Sequence, residues 1–289
     1  MFGSGNSISS RRCVLIGDVM SGKEYTPLTR GTWRKFWQAV KEADIVLEVL
    51  DSRDPLSFRL PIVEKRLSAL GKKVILVINK ADLVPRDVLE AWKREFEKEY
   101  PTIYISARYR LGTGKLRKLI YKIAPKGKEE IKVAIIGYPN VGKSSIINIL
   151  KGSHSAPTGA KPGLTRHLQI VRRGRLRVLD TPGVFPYEDA DTLVYKGAIR
   201  VETLDDPIPH AIELINRLKK IHPDVLKRTY GFDADDPLKF LEELAKKRGR
   251  LLKGGVPDVK EAARTVLRDW QTGKIVIWVR PEDYYGAKK

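Results

Sequence analysis

The chain has 289 residues, 42% hydrophobic and 31% charged, with 55 Lys plus Arg against 35 Asp plus Glu, a formal net charge of +20. That length suits roughly two domains. No run approaches the ~18 apolar residues of a membrane span, residues 13–17 are too few for a signal-peptide core, and the one cysteine, Cys13, cannot form an internal disulfide, so a cytoplasmic protein is expected.

In chain order, residues 1–26 read as loosely structured, with Gly and Ser near the start. Phe36, Trp37, Val40 and Ala43 have helical spacing within 33–43. Apolar runs at 45–50, 73–78 and 102–105 read as buried strands, ending at Asp51, Asn79 and Ser106. Helical patterns at 61–70 and 88–100 lie between them. Strands alternating with helices predict a doubly wound parallel sheet. A helix is predicted over 115–123 and a polar joint over 125–128. A strand follows at 131–136 and a helix at 144–150. Two strands, 167–173 and 175–179, turn at Gly174. Helices are predicted at 192–201, 209–221, 237–247 and 259–270, with Asp236 and Asp258 as start signals. The α/β part is assigned to 1–188, and a second, mostly helical domain to 189–289.

Gly137-Tyr138-Pro139-Asn140-Val141-Gly142-Lys143-Ser144 fits G-x-x-x-x-G-K-[ST] between a strand and a helix, the context that supports a P-loop. Pro139, Asn140, Val141 and Gly142 belong to the cradle, and Ser144 and Ser145 to the helix start. Backbone amides and the helix N-terminus attract phosphate. Lys143 suits the β- and γ-phosphates, and the Ser144 hydroxyl suits Mg²⁺. Residues 17–23 have the G-x-x-x-x-G-K spacing, but Glu24 replaces Ser/Thr. Gly112-Thr113-Gly114-Lys115 is too short. Both are read as turns.

A P-loop fits ATP and GTP alike; Asn79-Lys80-Ala81-Asp82 favours GTP. The Asp82 carboxylate accepts from both guanine donors, N1–H and N2–H₂, and adenine presents no such pair on that edge. Asn79 suits loop support and the base's acceptor side, and the Lys80 stem suits the ring face. Ser106-Ala107-Arg108 follows the next strand, where a backbone N–H can meet the guanine carbonyl.

Asp180-Thr181-Pro182-Gly183 closes another strand. Asp180 suits Mg²⁺ through a water, and the Gly183 N–H suits the γ-phosphate. Thr165 is the candidate to complete the Mg²⁺ shell, with Thr158 as the alternative. Val184 stands where GTPases often carry a water-orienting Gln, so slow intrinsic hydrolysis is expected. Asn140 is a candidate K⁺ ligand beside the phosphates; the other reading is an asparagine that stabilises its loop. The catalytic candidates are therefore Lys143, Asn140, Thr165 and Gly183.

The base-reading segments precede the phosphate loop, the reverse of ordinary GTPases. That order resembles the circularly permuted GTPases, specifically the YlqF/RbgA-like group of ribosome-assembly factors. Asp51-Ser52-Arg53-Asp54-Pro55 looks like that family's D-A-R-x-P segment, with Ser52 in place of alanine. The segment Gly254-Gly255-Val256-Pro257-Asp258, with Trp270 and Gly273-Lys274-Ile275, is similar to the C-terminal sequence of its archaeal and eukaryotic-type members. The resemblance covers most of residues 30–280. It implies a circularly permuted P-loop fold, GTP and GDP as ligands with Mg²⁺, K⁺-stimulated hydrolysis, a C-terminal RNA-binding domain, and the large ribosomal subunit precursor and its rRNA as partners.

The charge agrees with a polyanion partner, nucleic acid first and an anionic membrane surface second. Lys246, Lys247, Arg248, Arg250 and Lys253 form one cluster; Arg264 and Arg268 share a helix face; Arg172, Arg173, Arg175 and Arg177 form a third group. Each alone also reads as a solvated face. RNA is expected, DNA and membrane are not, and a monomer is expected. Nucleotide state is expected to reorient the helical domain, because the chain leaves the GTPase part just after Gly183. Competing readings are a GTP- and RNA-binding scaffold without turnover, a small-molecule kinase, and a membrane-associated GTPase.

Overall fold

The structure, a computed structural model, describes residues 30–152, 170–181 and 188–286. Among these, a six-stranded sheet is formed by β1 (Ile45–Asp51), β2 (Lys73–Asn79), β3 (Thr102–Tyr104), β4 (Ile131–Ile136), β5 (Ile170–Arg173) and β6 (Leu176–Asp180). Its order is β3-β2-β1-β4-β6-β5. All neighbours pair in parallel except the edge hairpin of β5 and β6. The central strands are mainly apolar because both faces are covered; every residue of β1 is buried, Glu48 and Asp51 included. Helices α1 (Arg30–Glu42), α2 (Pro61–Ala69), α3 (Arg86–Phe96), α4 (Thr113–Ile123) and α5 (Lys143–Lys151) accompany it. The apolar stripe of α3 shows how: Val88, Leu89, Trp92 and Phe96 recur on one side and are buried.

The chain winds outward from β1 to β3, then returns to the other side of β1 with β4. The switch point therefore lies between β1 and β4, the place where ligands of open α/β sheets bind at the strands' carboxyl ends.

Beyond the sheet come α6 (Ala190–Tyr195), α7 (Ile208–Ile221), α8 (Val225–Tyr230), α9 (Pro237–Lys247), α10 (Val259–Thr272) and α11 (Pro281–Tyr285). Asp236 and Asp258 do start helices, accepting from Lys239 N at 2.8 Å and Glu261 N at 3.0 Å. Against α7 and α9 packs α10. One apolar cluster runs from Phe36 through the sheet to Val279.

Two local expectations are corrected. The helix predicted over 192–201 ends at Tyr195, because the chain turns through Gly197 at φ 68°. Gly112 is a helix start rather than an isolated turn: it caps α4 at φ 74°, and an added Cβ would meet the Tyr104 carbonyl oxygen at 2.9 Å. The short helices α8 and α11 have no counterpart in the sequence reading. The predicted 17–23 turn and residues 167–169 lie outside the described residues.

Glu48 is the one acidic residue inside β1 before its last position, and it is fully buried. It accepts from Leu60 N at 2.7 Å. Burial, and then the Glu64 charge, push its carboxyl well above the ordinary carboxylate range. Its stabilising contribution is complete below the unfolded carboxyl value and is lost as pH rises through the raised folded value. Glu48→Gln keeps an acceptor for Leu60 and removes that loss. Its Tm should exceed the parent's by a margin that widens as pH rises above the ordinary carboxylate range. Parallel Tm-versus-pH curves for the two proteins would contradict a neutral Glu48.

Candidate functional site

The carboxyl ends of β1, β2, β3, β4 and β6 share one edge of the sheet, and the segments that begin at Asp51, Asn79, Ser106, Gly137 and Asp180 all start there. After β4, the loop turns at Gly137 (φ 138°), where a Cβ would meet the Val49 carbonyl oxygen at 2.5 Å. Asn140 also takes a left-handed conformation (φ 60°). Gly142 (φ 99°) then caps α5, whose first residue is Lys143. Ser144 is exposed in the first turn, followed by Ser145. Lys143 Nζ donates to the carbonyls of Gly137 at 2.9 Å and Tyr138 at 2.6 Å, so the ammonium folds back over its own loop.

The base-side loop follows β2. Asn79 is 2% exposed, Lys80 is left-handed (φ 63°), and Asp82 is exposed in a short turn of 3₁₀ helix, Ala81–Leu83. Asp82 Oδ1 accepts from the Ser106 hydroxyl at 2.5 Å. Ala81 N donates to Ile105 O at 3.0 Å, joining the loops after β2 and β3.

Asn79 connects both halves. Its Nδ2 donates to Val141 O at 2.8 Å, and its Oδ1 accepts from Ala107 N at 3.0 Å. One buried amide therefore holds the loop after β3 to the phosphate loop, across 62 positions of sequence on one side and 28 on the other. Loop support by Asn79 is as expected. Of the backbone donors in Ser106-Ala107-Arg108, the segment considered for a guanine carbonyl, the Ala107 N–H is spent on Asn79. Lys80, expected to cover a ring with its stem, places Nζ 2.7 Å from Asp51 Oδ2.

Asp51 leads to residues to which the sequence reading gave no structural role. Burial alone would raise its carboxyl, but Arg53 and Lys80 overcome this and hold it well below the usual carboxylate range. Arg53 grips both Asp51 oxygens, at 3.0 and 2.9 Å, and donates to Trp270 O at 2.7 Å. Its guanidinium lies 3.7 Å from the Trp270 ring centroid, Trp270 stacks on Tyr195 at 5.0 Å, and Arg217 covers Tyr195 at 3.6 Å. Asp54, 1% exposed, accepts from Tyr195 at 2.8 Å and Tyr284 at 2.6 Å. Trp92 Nε1 donates to Val279 O at 2.7 Å. The segment Asp51 to Pro55 thus fastens the sheet to residues 195–284. A cluster of charged residues directly after a mainly apolar strand was the available signal.

Asn140 forms a second fastening: its Nδ2 donates to Gly197 O at 2.9 Å. Beside it Lys196, 7% exposed, bonds Glu188 Oε1 at 2.6 Å and the Tyr138 hydroxyl at 3.0 Å. The phosphate loop is therefore in direct contact with the start of the helical region.

Asp180 closes β6, paired opposite Ile135. Thr158, Thr165, Gly183 and Val184 lie outside the described residues. Among the basic groups, Lys246, Lys247, Arg248, Arg250 and Lys253 are all exposed. Arg248 lies 3.7 Å from Asp269. Arg264 and Arg268 both approach Glu261, at 3.8 and 3.7 Å, and Arg268 also meets Glu202, so that pair is largely neutralised. Arg177 pairs with Glu130 at 3.1 Å. No described helix is long and apolar enough to cross a membrane.

Comparison with known proteins agrees with this arrangement. A family profile described as 50S ribosome-binding GTPase matches residues 132–234. The chain is 44% identical over 239 residues to an uncharacterized GTP-binding protein of Methanocaldococcus jannaschii, covering 82% of this chain and 64% of that protein. It is 40% identical over 260 residues to nucleolar GTP-binding protein 2 of Neurospora crassa, covering 86% of this chain and 41% of that protein. The chain thus spans less than two thirds of these relatives. The crystal structure of GNP-bound YlqF from T. maritima superposes with a TM-score of 0.62 at 27% identity, covering 87% of this chain and 99% of that one. With base-side loops that precede the phosphate loop in sequence yet meet it at one sheet edge, the chain belongs to the circularly permuted P-loop GTPases of the YlqF type.

Proposed function

We propose that this protein binds GTP across the loops joined by Asn79, hydrolyses it, and uses the cycle as a switch in large ribosomal subunit assembly through rRNA. The observation that carries the reading is the pair of Asn79 hydrogen bonds to Val141 O and Ala107 N, which ties a base-reading loop to a phosphate loop. The relatives' names, GTP-binding and nucleolar, and the family's description support the same direction.

Lys143 and the amides of residues 137–144 would take the β- and γ-phosphates, with Nζ exchanging the Gly137 and Tyr138 carbonyls for phosphate oxygens. Asp82 would accept from the guanine N1–H and N2–H₂. Ser144, exposed beside the end of β4, and Asp180, at the end of the neighbouring strand, fit an oxygen-liganded Mg²⁺, with Thr165 as the third ligand. The metal would supply positive charge to offset the phosphates. Gly183 would bind the γ-phosphate through its N–H. Residues 189–289 would form the RNA-binding part, with Lys246, Lys247, Arg250 and Lys253 contacting phosphates.

Asn140 would hold K⁺ through its amide oxygen while its Nδ2 stays on Gly197. Asn140→Ala should then abolish the difference in phosphate-release rate between K⁺ and Na⁺ buffers and leave GDP affinity intact. Undiminished K⁺ stimulation in the variant would remove Asn140 from that role.

Val184 favours a second reading, a GTP- and RNA-binding scaffold without turnover. Phosphate release measured with and without K⁺ and ribosomal subunits separates the two. Release in any condition supports the switch, and none in all conditions leaves the scaffold.

A further inference from the structure

The stretch from Pro101 to Lys128 contains no Asp or Glu. It runs from the start of β3 through the guanine-side loop and α4 to Lys128, whose carbonyl accepts from Arg175. The loop closes on itself: Ser106 and Leu111 form an antiparallel bridge, and Tyr109 N donates to Ser106 Oγ at 3.2 Å. This closure leaves Tyr109 59% and Leu111 61% exposed, with Arg108 and Arg110 exposed on either side of the tyrosine. The surface continues on α4. Leu116 and Ile120 turn into the core, so Lys115, Lys118, Tyr121 and Lys122 fall on the solvent face.

Cations interleaved with exposed tyrosines, and no acid among them in sequence, match a chain of phosphates with unstacked bases. A membrane surface is the poorer match, because the large apolar side chains of α4 face inward and Leu111 stands as a single exposed aliphatic residue in the loop.

We propose that residues 108–111 and the outer face of α4 bind single-stranded RNA, with Tyr109 and Tyr121 stacking on bases and Lys115, Lys118 and Lys122 holding phosphates. The surface is joined to the base site through one hydroxyl: Ser106 Oγ donates to Asp82 Oδ1 and accepts from Tyr109 N. A guanine engaging Asp82 alters that bond, so RNA affinity here follows occupancy of the base site, whether by GDP or by a GTP analogue. The coupling rests on the guanine-site reading; the binding surface does not.

The test uses the full chain and fluorescence anisotropy with a fluorescein-labelled oligouridine of about 20 nucleotides. Tyr109→Ala should weaken binding about tenfold, from the loss of one stacked base. The combined Lys115→Gln, Lys118→Gln, Lys122→Gln variant should lower the slope of log affinity against log salt by about 2. Binding of a fluorescent GDP should be unchanged in both, which keeps the result separate from failure of the nucleotide site. Parent-like RNA affinity and salt slope in both variants would overturn the proposal. So would a loss confined to anionic phosphatidylserine vesicles. RNA binding abolished by Lys246→Gln with Arg250→Gln, but untouched by these variants, would overturn this surface while sparing the helical region's role. GDP and a GTP analogue should shift RNA affinity equally from the nucleotide-free value; a shift with the analogue alone would overturn the coupling.

Discussion

Lys143→Ala should abolish tight binding of GDP and GTP, weakening both by a hundredfold or more, about 3 kcal/mol for lost charge-assisted contacts to phosphate. Lys143 is only half-buried, and its Nζ donates to the Gly137 and Tyr138 carbonyls of its own loop. Its removal should therefore leave thermal stability nearly unchanged while nucleotide no longer raises Tm. In the parent, a ligand at 100 times its Kd adds about 2.7 kcal/mol by mass action. Calorimetric titration with GDP and melting curves with and without it provide the check. A variant still stabilised by GDP to the parent's extent would show that the loop of residues 137–144 is not the phosphate site.

Asp82→Asn should exchange guanine for xanthine. The Ser106 hydroxyl bonds Asp82 Oδ1, a contact that an asparagine oxygen can keep. The other side-chain atom changes from acceptor to donor, which opposes the guanine N2–H₂ donor and suits the 2-oxo group of xanthine. GTP affinity should fall about a hundredfold, roughly 3 kcal/mol for an unpaired polar contact at the base, and xanthosine triphosphate should bind better than GTP. Competition binding with the two nucleotides measures it, and retained preference for GTP would remove Asp82 from base recognition.

The sheet was legible because each buried parallel strand is a mainly apolar run closed by polar residues. Residues 131–136 were read as a strand and form β4 with the same bounds. The helix at 237–247 was equally plain, with Asp236 and Pro237 marking its start. The side-chain partnerships were not legible. Nothing local says that Asn79 will spend its amide on Val141 and Ala107, or that Lys80 will turn to Asp51. Arg53 and Trp270 are 217 positions apart, and no periodicity links them. The five residues of α11 are too few for a period of 3.6 to register.

These long-range contacts also change the expected mechanics. Reorienting the helical region as a rigid body would break the buried Arg53, Asp54 and Trp92 contacts to residues 195–284. Separating a buried, fully bonded charge from its partners costs several kcal/mol. The contact most directly placed to respond to nucleotide is instead the one between Asn140 and Gly197, at the phosphate loop itself.

A crystal structure of the chain with bound GDP tests the shared-pocket claim most directly. The guanine should meet the Asp82 carboxylate while the β-phosphate meets Lys143, with Asn79 still bridging the loops between them. A nucleotide found elsewhere, or one that reaches Lys143 with its base turned away from Asp82, would contradict it.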